Sequence, residues 1–261
     1  MKKLIRFMAF MLIVCCCSFS VAEEHSAVRI VYGQSQMGRD LECWQVGSED
    51  AACSMLMVFG IHGFEDIYDH DADILKEIAE KMISHYEEQT PAACLYIIPS
   101  ANPDGLIDGV SKDDFGRLTA AQIDPNRDFP VRWSENSKTK NLRNRTGTKA
   151  FSCPETRAIG LFTLSHDLNW GIDVHGYINA VYGTGQMAKS FAKTMNMPKK
   201  QWSSGGMMCE WFDAVLDEGI MIELPSFRYN EAFDRDAYIS EYAEKLITSV
   251  DTWLKLNTAA E

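Results

Sequence analysis

The chain has 261 residues, 46% of them hydrophobic, and 25 basic against 37 acidic side chains give it a formal charge of −12. That charge argues against nucleic-acid binding, which depends on neutralising phosphates with Lys and Arg, and favours neutral or cationic partners. The length suits one sizeable core, and no composition shift suggests a second domain.

In chain order, residues 1–22 read as an export signal. Lys2, Lys3 and Arg6 give a basic start, Phe7 to Cys17 an apolar core, and Ser20-Val21-Ala22 a small-x-small cleavage site. The apolar core is shorter than the roughly 20 residues of a membrane span, so no stable span is expected after cleavage. Cys15 after Val14, or Cys17 after Cys16, makes a poor lipid-attachment signal. The expected product is residues 23–261, one domain, secreted or periplasmic. Without Lys2, Lys3 and Arg6, its 22 basic and 37 acidic residues leave −15. Cys43, Cys53, Cys94, Cys153 and Cys209 remain. They are open to one or two disulfides in an oxidising compartment, or to a role as small buried hydrophobes.

Val28 to Tyr32 and Leu41 to Val46 are strand candidates around a glycine-containing turn. Met55-Leu56-Met57-Val58 reads as a buried strand, and Ala72 to Tyr86 carries apolar residues at helical spacing. Cys94 to Pro99 is a second buried strand, ending at the turn Asn102-Pro103-Asp104-Gly105. Asp104 to Asn144 is polar and reads as a long loop broken only by Gln122 to Val131. Helices are expected over Glu155 to His166, Met187 to Met195, Trp211 to Leu216 and Arg235 to Leu256. Strands are expected over Trp170 to Val174 and Gly219 to Pro225. Strand, helix and strand in alternation imply an α/β domain: a central mixed, mostly parallel twisted sheet flanked by helices.

Three places carry chemistry. His62 and Glu65 lie three apart on the strand-to-helix turn Phe59 to Glu65, where both can face one metal ion. His175 ends an apolar strand, where ligand-binding groups sit in open α/β sheets. Glu223 is a lone carboxylate between Ile222 and Leu224, costly to ionise without a partner. Together these supply three ligands and a general base.

Six ordered stretches resemble the zinc metallocarboxypeptidase (carboxypeptidase A-like) family over nearly all of residues 23–261. They are Gly60-Ile61-His62-Gly63-Phe64-Glu65, Asn102-Pro103-Asp104-Gly105, Asp124-Pro125-Asn126-Arg127-Asp128-Phe129-Pro130, Pro154-Glu155-Thr156, Asp173-Val174-His175-Gly176 and Ile222-Glu223-Leu224. The resemblance implies one zinc ion held by His62, Glu65 and His175. It implies Glu223 as general base and later acid, and Arg117 as the group that polarises the scissile carbonyl. Asn126 and Arg127 become the clamp on a substrate carboxylate, and Asp124 the acid that orients His62. A guanidinium suits the clamp because it can bind a carboxylate bidentately.

Within the family the chain is most similar to bacterial murein peptide amidases. The short chain, Gly147 to Thr156 and Gly219 to Pro225 carry that likeness. It implies cleavage between γ-D-glutamate and diaminopimelate, with a general metallocarboxypeptidase as the alternative. Gln201 stands where the digestive enzymes have a mobile tyrosine, Met208 is the residue expected to set side-chain preference, Cys153 replaces the glutamate before Pro-Glu-Thr, and Pro125 interrupts Asp-x-Asn-Arg. A non-catalytic peptide- or cell-wall-binding protein on the same scaffold would have no need of Glu223. A zinc deacylase of small acylated amino acids fits the Asn-Pro-Asp-Gly and Asn-Arg motifs less well.

Overall fold

The computed structural model describes residues 27–65, 67–68, 70–135, 142–202, 204–227 and 233–258. The expected signal over 1–22 lies outside them. The sequence-expected strands and helices form as β1 (Val28–Gln34), β2 (Asp40–Val46), β3 (Ser54–Phe59), α1 (Ala72–Glu88) and β4 (Cys94–Ile98). The short α2 (Pro103–Asp108) and β5 (Ser111–Leu118) come next. Then follow α3 (Pro154–Ser165), β6 (Trp170–Gly176), β7 (Ala180–Tyr182), α4 (Gln186–Thr194), β8 (Lys199–Lys200), α5 (Met208–Val215), β9 (Glu218–Leu224) and α6 (Arg235–Thr258).

Eight strands make one mixed sheet in the order β1-β2-β4-β3-β6-β9-β7-β8. The centre, β4, β3, β6 and β9, is parallel, and β2 and β7 join it antiparallel on either side. Both faces are covered, which is why the central strands read as unbroken apolar runs. Alternation then sorts the side chains. Met55, Met57, Phe59, Ile172, Val174, Ile220 and Ile222 pack with α1, α4 and α6. Leu56, Val58 and Ile98 pack with Ile159 and Phe162 of α3 and Met208 and Phe212 of α5. No helix among the described residues is long and apolar enough to cross a membrane.

The chain leaves β3 toward β4 on one side, while β6 and β9 lie on the other. The strand order therefore reverses at the β3–β6 boundary, and the crevice beyond their carboxyl ends is the expected ligand site of such a sheet. His62, His175 and Glu223 all sit there.

The stretch Asp104 to Asn144 departs from its reading as a loop: it holds most of α2, all of β5 and two single 3-10 turns, Pro125–Arg127 and Leu142–Asn144. Asn102-Pro103-Asp104-Gly105 is likewise no simple turn but the start of α2. The Asn102 side chain accepts from Gly105 N at 3.0 Å, and Pro103 opens the helix, a favoured place for proline. The sequence gives no signal for β5 because Ser-Lys-Asp-Asp-Phe-Gly-Arg-Leu shows neither alternation nor an apolar run. β7 and β8, of three and two residues, are too short for any periodicity.

The matched motifs hold this frame. Asn102 reaches the Leu118 carbonyl at 3.3 Å, and Asp104 accepts from Ser35 Oγ and Met37 N, each at 2.8 Å. Thr156 Oγ1 donates to Asp128 at 2.6 Å, and Glu155 accepts from Gln36 N at 2.8 Å. Gly63 packs backbone to backbone on α2, so that an added Cβ would lie 2.2 Å from Gly105 C and Leu106 N. Gly63→Ala is expected to destabilise the domain by about 1–3 kcal/mol through overpacking, read as a lower midpoint in urea unfolding.

Candidate active site

The turn after β3 is fixed by backbone before any side chain acts. Gly63 N and Phe64 N both donate to the Gly116 carbonyl, at 2.9 and 3.1 Å, next to Arg117 of β5. Asp71, buried at the start of α1, turns its carboxylate back to accept from Glu65 N and from Ile67 N (2.8 Å). Tyr177 Oη donates to the Asp71 carbonyl at 2.8 Å. His62 and Glu65 are thereby aimed at one point.

His175 reaches that point from β6. The Nδ1 atoms of His62 and His175 each lie 3.1 Å from a different oxygen of Glu65, and the two rings meet edge to face at 5.2 Å. The far edges of the rings are held by acids: His62 Nε2 is 2.9 Å from Asp124 Oδ1, and His175 Nε2 is 2.7 Å from Asp173 Oδ1. Both Nδ1 atoms thus face the Glu65 carboxylate. Ligand atoms of His62, Glu65 and His175 fall within 4.8 Å of one another, among buried side chains.

These residues fit zinc. Two imidazoles and a carboxylate are a donor set of catalytic zinc sites, and carboxylates behind the imidazoles fix their tautomers. Charge agrees. Glu65, Asp124 and Asp173 are buried, and one buried guanidinium, Arg117, stands beside Glu65 and Asp124, an excess of acid that suits a divalent cation. Burial alone would push the Glu65 and Asp124 carboxyls up, yet the neighbouring imidazoles hold both well below the usual range. Burial would likewise lower His175, but Asp173 and Glu65 carry it well above its ordinary value. The pocket is built for positive charge.

Glu223 pairs in register with His175 across β6 and β9. Alternation puts it on the same sheet face as Asp173 and His175. Burial pushes its carboxyl up to about 7, with His175 opposing, and its Oε2 has no hydrogen-bond partner among the described residues. Such a carboxylate is poised to take and return a proton near neutrality.

Arg117 comes to the same cluster, although its stretch reads as loop in the sequence: Nη1 lies 3.6 Å from Glu65 Oε2 and Nη2 3.9 Å from Asp124 Oδ2. Arg127 borders the cleft beside Ser204. Asn126 also borders it, but its amide is turned inward, to Asp173 Oδ2 (3.2 Å) and to Met208 N, which donates at 2.8 Å. The cleft encloses about 190 Å³, and its far wall is Tyr182, Trp202, Met207 and Met221.

Met208 does not set that wall. It opens α5 and is fully buried in the core against α3, whereas Met207, just before the helix, faces the cleft. Gln201 is exposed, and Trp202 beside it is the lining residue. None of the five described cysteines is in a disulfide, and four are fully buried, in keeping with small core hydrophobes.

Asp71, Asp173 and the aromatic and methionine wall are absent from the sequence reading. Asp173 carried the signal that flagged Glu223, an acid inside an apolar strand, and lies two positions from His175, on its face. Asp71 directly precedes a helix, where an acid normally reads as a cap.

The family model for zinc carboxypeptidase matches residues 19–212. Bacteriocin BCN5 of Clostridium perfringens is 30% identical over 240 residues, covering 86% of this chain. The chain spans only 25% of that relative's length. Murein-tripeptide amidase MpaA of Escherichia coli O157 has a similar fold, with TM-score 0.62, 19% identity and coverage of 85% of this chain and 91% of that one. Carboxypeptidase A of Helicoverpa armigera is similar at TM-score 0.69 and 16% identity, covering 91% and 70%. This chain belongs to the zinc carboxypeptidase family, and the mixed, mostly parallel sheet flanked by helices is the one expected from the sequence.

Asp71→Ala leaves two loop N–H groups without their acceptor and is expected to cost about 1–3 kcal/mol. Thermal unfolding measures it, and the loss should be larger than for Asp40→Ala, where the side chain is exposed at the start of β2.

Proposed function

We propose that the chain is an exported zinc-dependent peptidase that hydrolyses an amide beside a free carboxylate, in murein peptides the bond between γ-D-glutamate and diaminopimelate. The observation that carries this is the convergence of His62, Glu65 and His175, from β3 and β6, beside the buried Glu223 of β9. The murein assignment draws support from the likeness of Gly147 to Thr156 and Gly219 to Pro225 to murein peptide amidases and from a fold shared with one of them.

Zinc held by His62, Glu65 and His175 supplies Lewis acidity, polarising a carbonyl and letting water ionise near pH 7. Glu223 takes the proton from the attacking water and later hands it to the departing amine. Arg117, buried beside Glu65 and Asp124, donates to the oxygen where negative charge develops, a contribution on the order of 3 kcal/mol for one donor. Arg127 binds the free carboxylate, and Asp124 holds His62 in the tautomer that leaves Nδ1 free.

A general carboxypeptidase is the second reading. The wall of Tyr182, Trp202, Met207 and Met221 favours it, since it offers an apolar surface and no fixed charge to a zwitterionic side chain.

Incubation with γ-D-Glu-diaminopimelate peptides and with C-terminally apolar dipeptides, with and without chelator, decides between the readings. Chelator-sensitive release from the first supports the amidase, preference for the second supports the carboxypeptidase, and cleavage of neither defeats both. Glu223→Gln should lose roughly 100- to 10,000-fold in kcat while still binding zinc. If it keeps its full biological effect, a binding protein on this scaffold is favoured.

Because Glu223 must be ionised to accept a proton, kcat/KM should fall as pH drops through its pKa, which burial raises to about 7 and a bound cation draws lower. A pH–rate profile should show this acid limb at or below pH 7, and none of comparable size in residual Glu223→Gln turnover.

A further inference from the structure

Asn126 and Asp173 meet behind His175, on the side away from Glu65. Asn126 is 2% exposed and Asp173 fully buried. Asn126 Nδ2 donates to Asp173 Oδ2 at 3.2 Å and packs 2.9 Å from His175 Nε2, while its Oδ1 accepts from Met208 N at 2.8 Å. The same short turn holds the other imidazole: Asn126 N donates to Asp124 Oδ1 at 2.9 Å, the oxygen that faces His62 Nε2. Pro125 lies between them and fixes the turn's φ. The proline that breaks the Asp-x-Asn-Arg motif thus stiffens a bracket reaching both histidines. Arg127, the next residue, donates from Nη1 to the Asn126 carbonyl (2.6 Å) and lines the cleft.

We propose that Asn126 and Asp173 are positioning residues that hold His175 in its ligating orientation, leaving Arg127 as the anchor for the substrate's carboxylate. The proposal rests on His175 being a zinc ligand, and it reverses the role that the family resemblance gives Asn126. Asn126's acceptor and one of its donor positions are already spent inside the protein, and turning the amide to a substrate would strand the Met208 N–H and a buried carboxylate oxygen.

Two readouts separate a strut from a clamp. The first is zinc affinity of the metal-stripped full chain, measured with zinc alone against a chromophoric chelator. The second is the KM ratio between a peptide acid and its C-terminal amide. Asn126→Ala and the isosteric Asp173→Asn should each weaken zinc binding 10- to 100-fold and leave the acid-to-amide ratio unchanged. Arg127→Ala should do the reverse, keeping zinc and losing the discrimination. Unchanged zinc affinity in Asp173→Asn, or lost discrimination with intact zinc affinity in Asn126→Ala, overturns the strut. A wild-type chain that binds no zinc overturns the metal reading and the strut together. Wild-type zinc binding without cleavage of any peptide defeats only the proposed reaction, because the zinc arm still reads the strut.

Discussion

Two imidazoles held face to edge over one carboxylate, all three buried, is the arrangement on which the rest of the structure turns. Such a group is unstable left to itself: Glu65, Asp124 and Asp173 are all buried, and burying unpaired carboxylates is costly. Each is instead placed against an imidazole, and Arg117 stands beside two of them. This pairing is the physical cause of the lowered Glu65 and Asp124 carboxyls and the raised His175.

Holding these groups requires backbone that does not yield. The His62–Glu65 turn hangs from the Gly116 carbonyl, Asp71 closes it from the helix side, and Gly63 lets it lie directly on α2. Asn102 ties α2 to the end of β5 and so to Arg117. Motifs that look catalytic by association, Asn-Pro-Asp-Gly and Pro-Glu-Thr, brace the segments that carry the proposed catalytic groups. The cleft wall is built separately, from β7, β9 and the approach to α5, and its apolar character bears on what departs from the enzyme more than on how the bond is broken.

The element pattern was legible wherever burial imposed a period. β3, β4, β6 and β9 are buried on both faces, so their residues form apolar runs, and α1 shows an apolar stripe because one side meets the sheet. The polar stretch between Asp104 and Asn144 was not legible. There α2 and β5 are held by side-chain-to-backbone bonds from Asn102 and Asp104, which leave no periodic trace. Met208 shows the same limit at the scale of one residue: whether it or Met207 faces the cleft depends on where α5 begins.

The amino-acid order alone nominated His62, Glu65, His175 and Glu223 for the chemistry we propose. A histidine and an acid on a turn, a histidine closing an apolar strand and an acid inside another each have an ordinary structural reading taken singly, and only together do they supply three ligands and a base. Only the tertiary structure decided that their atoms meet, which nitrogen of each imidazole faces the shared carboxylate, and which neighbours stand behind. Those outcomes depend on contacts between residues up to 110 positions apart, as between Glu65 and His175, and no local pattern records such a contact.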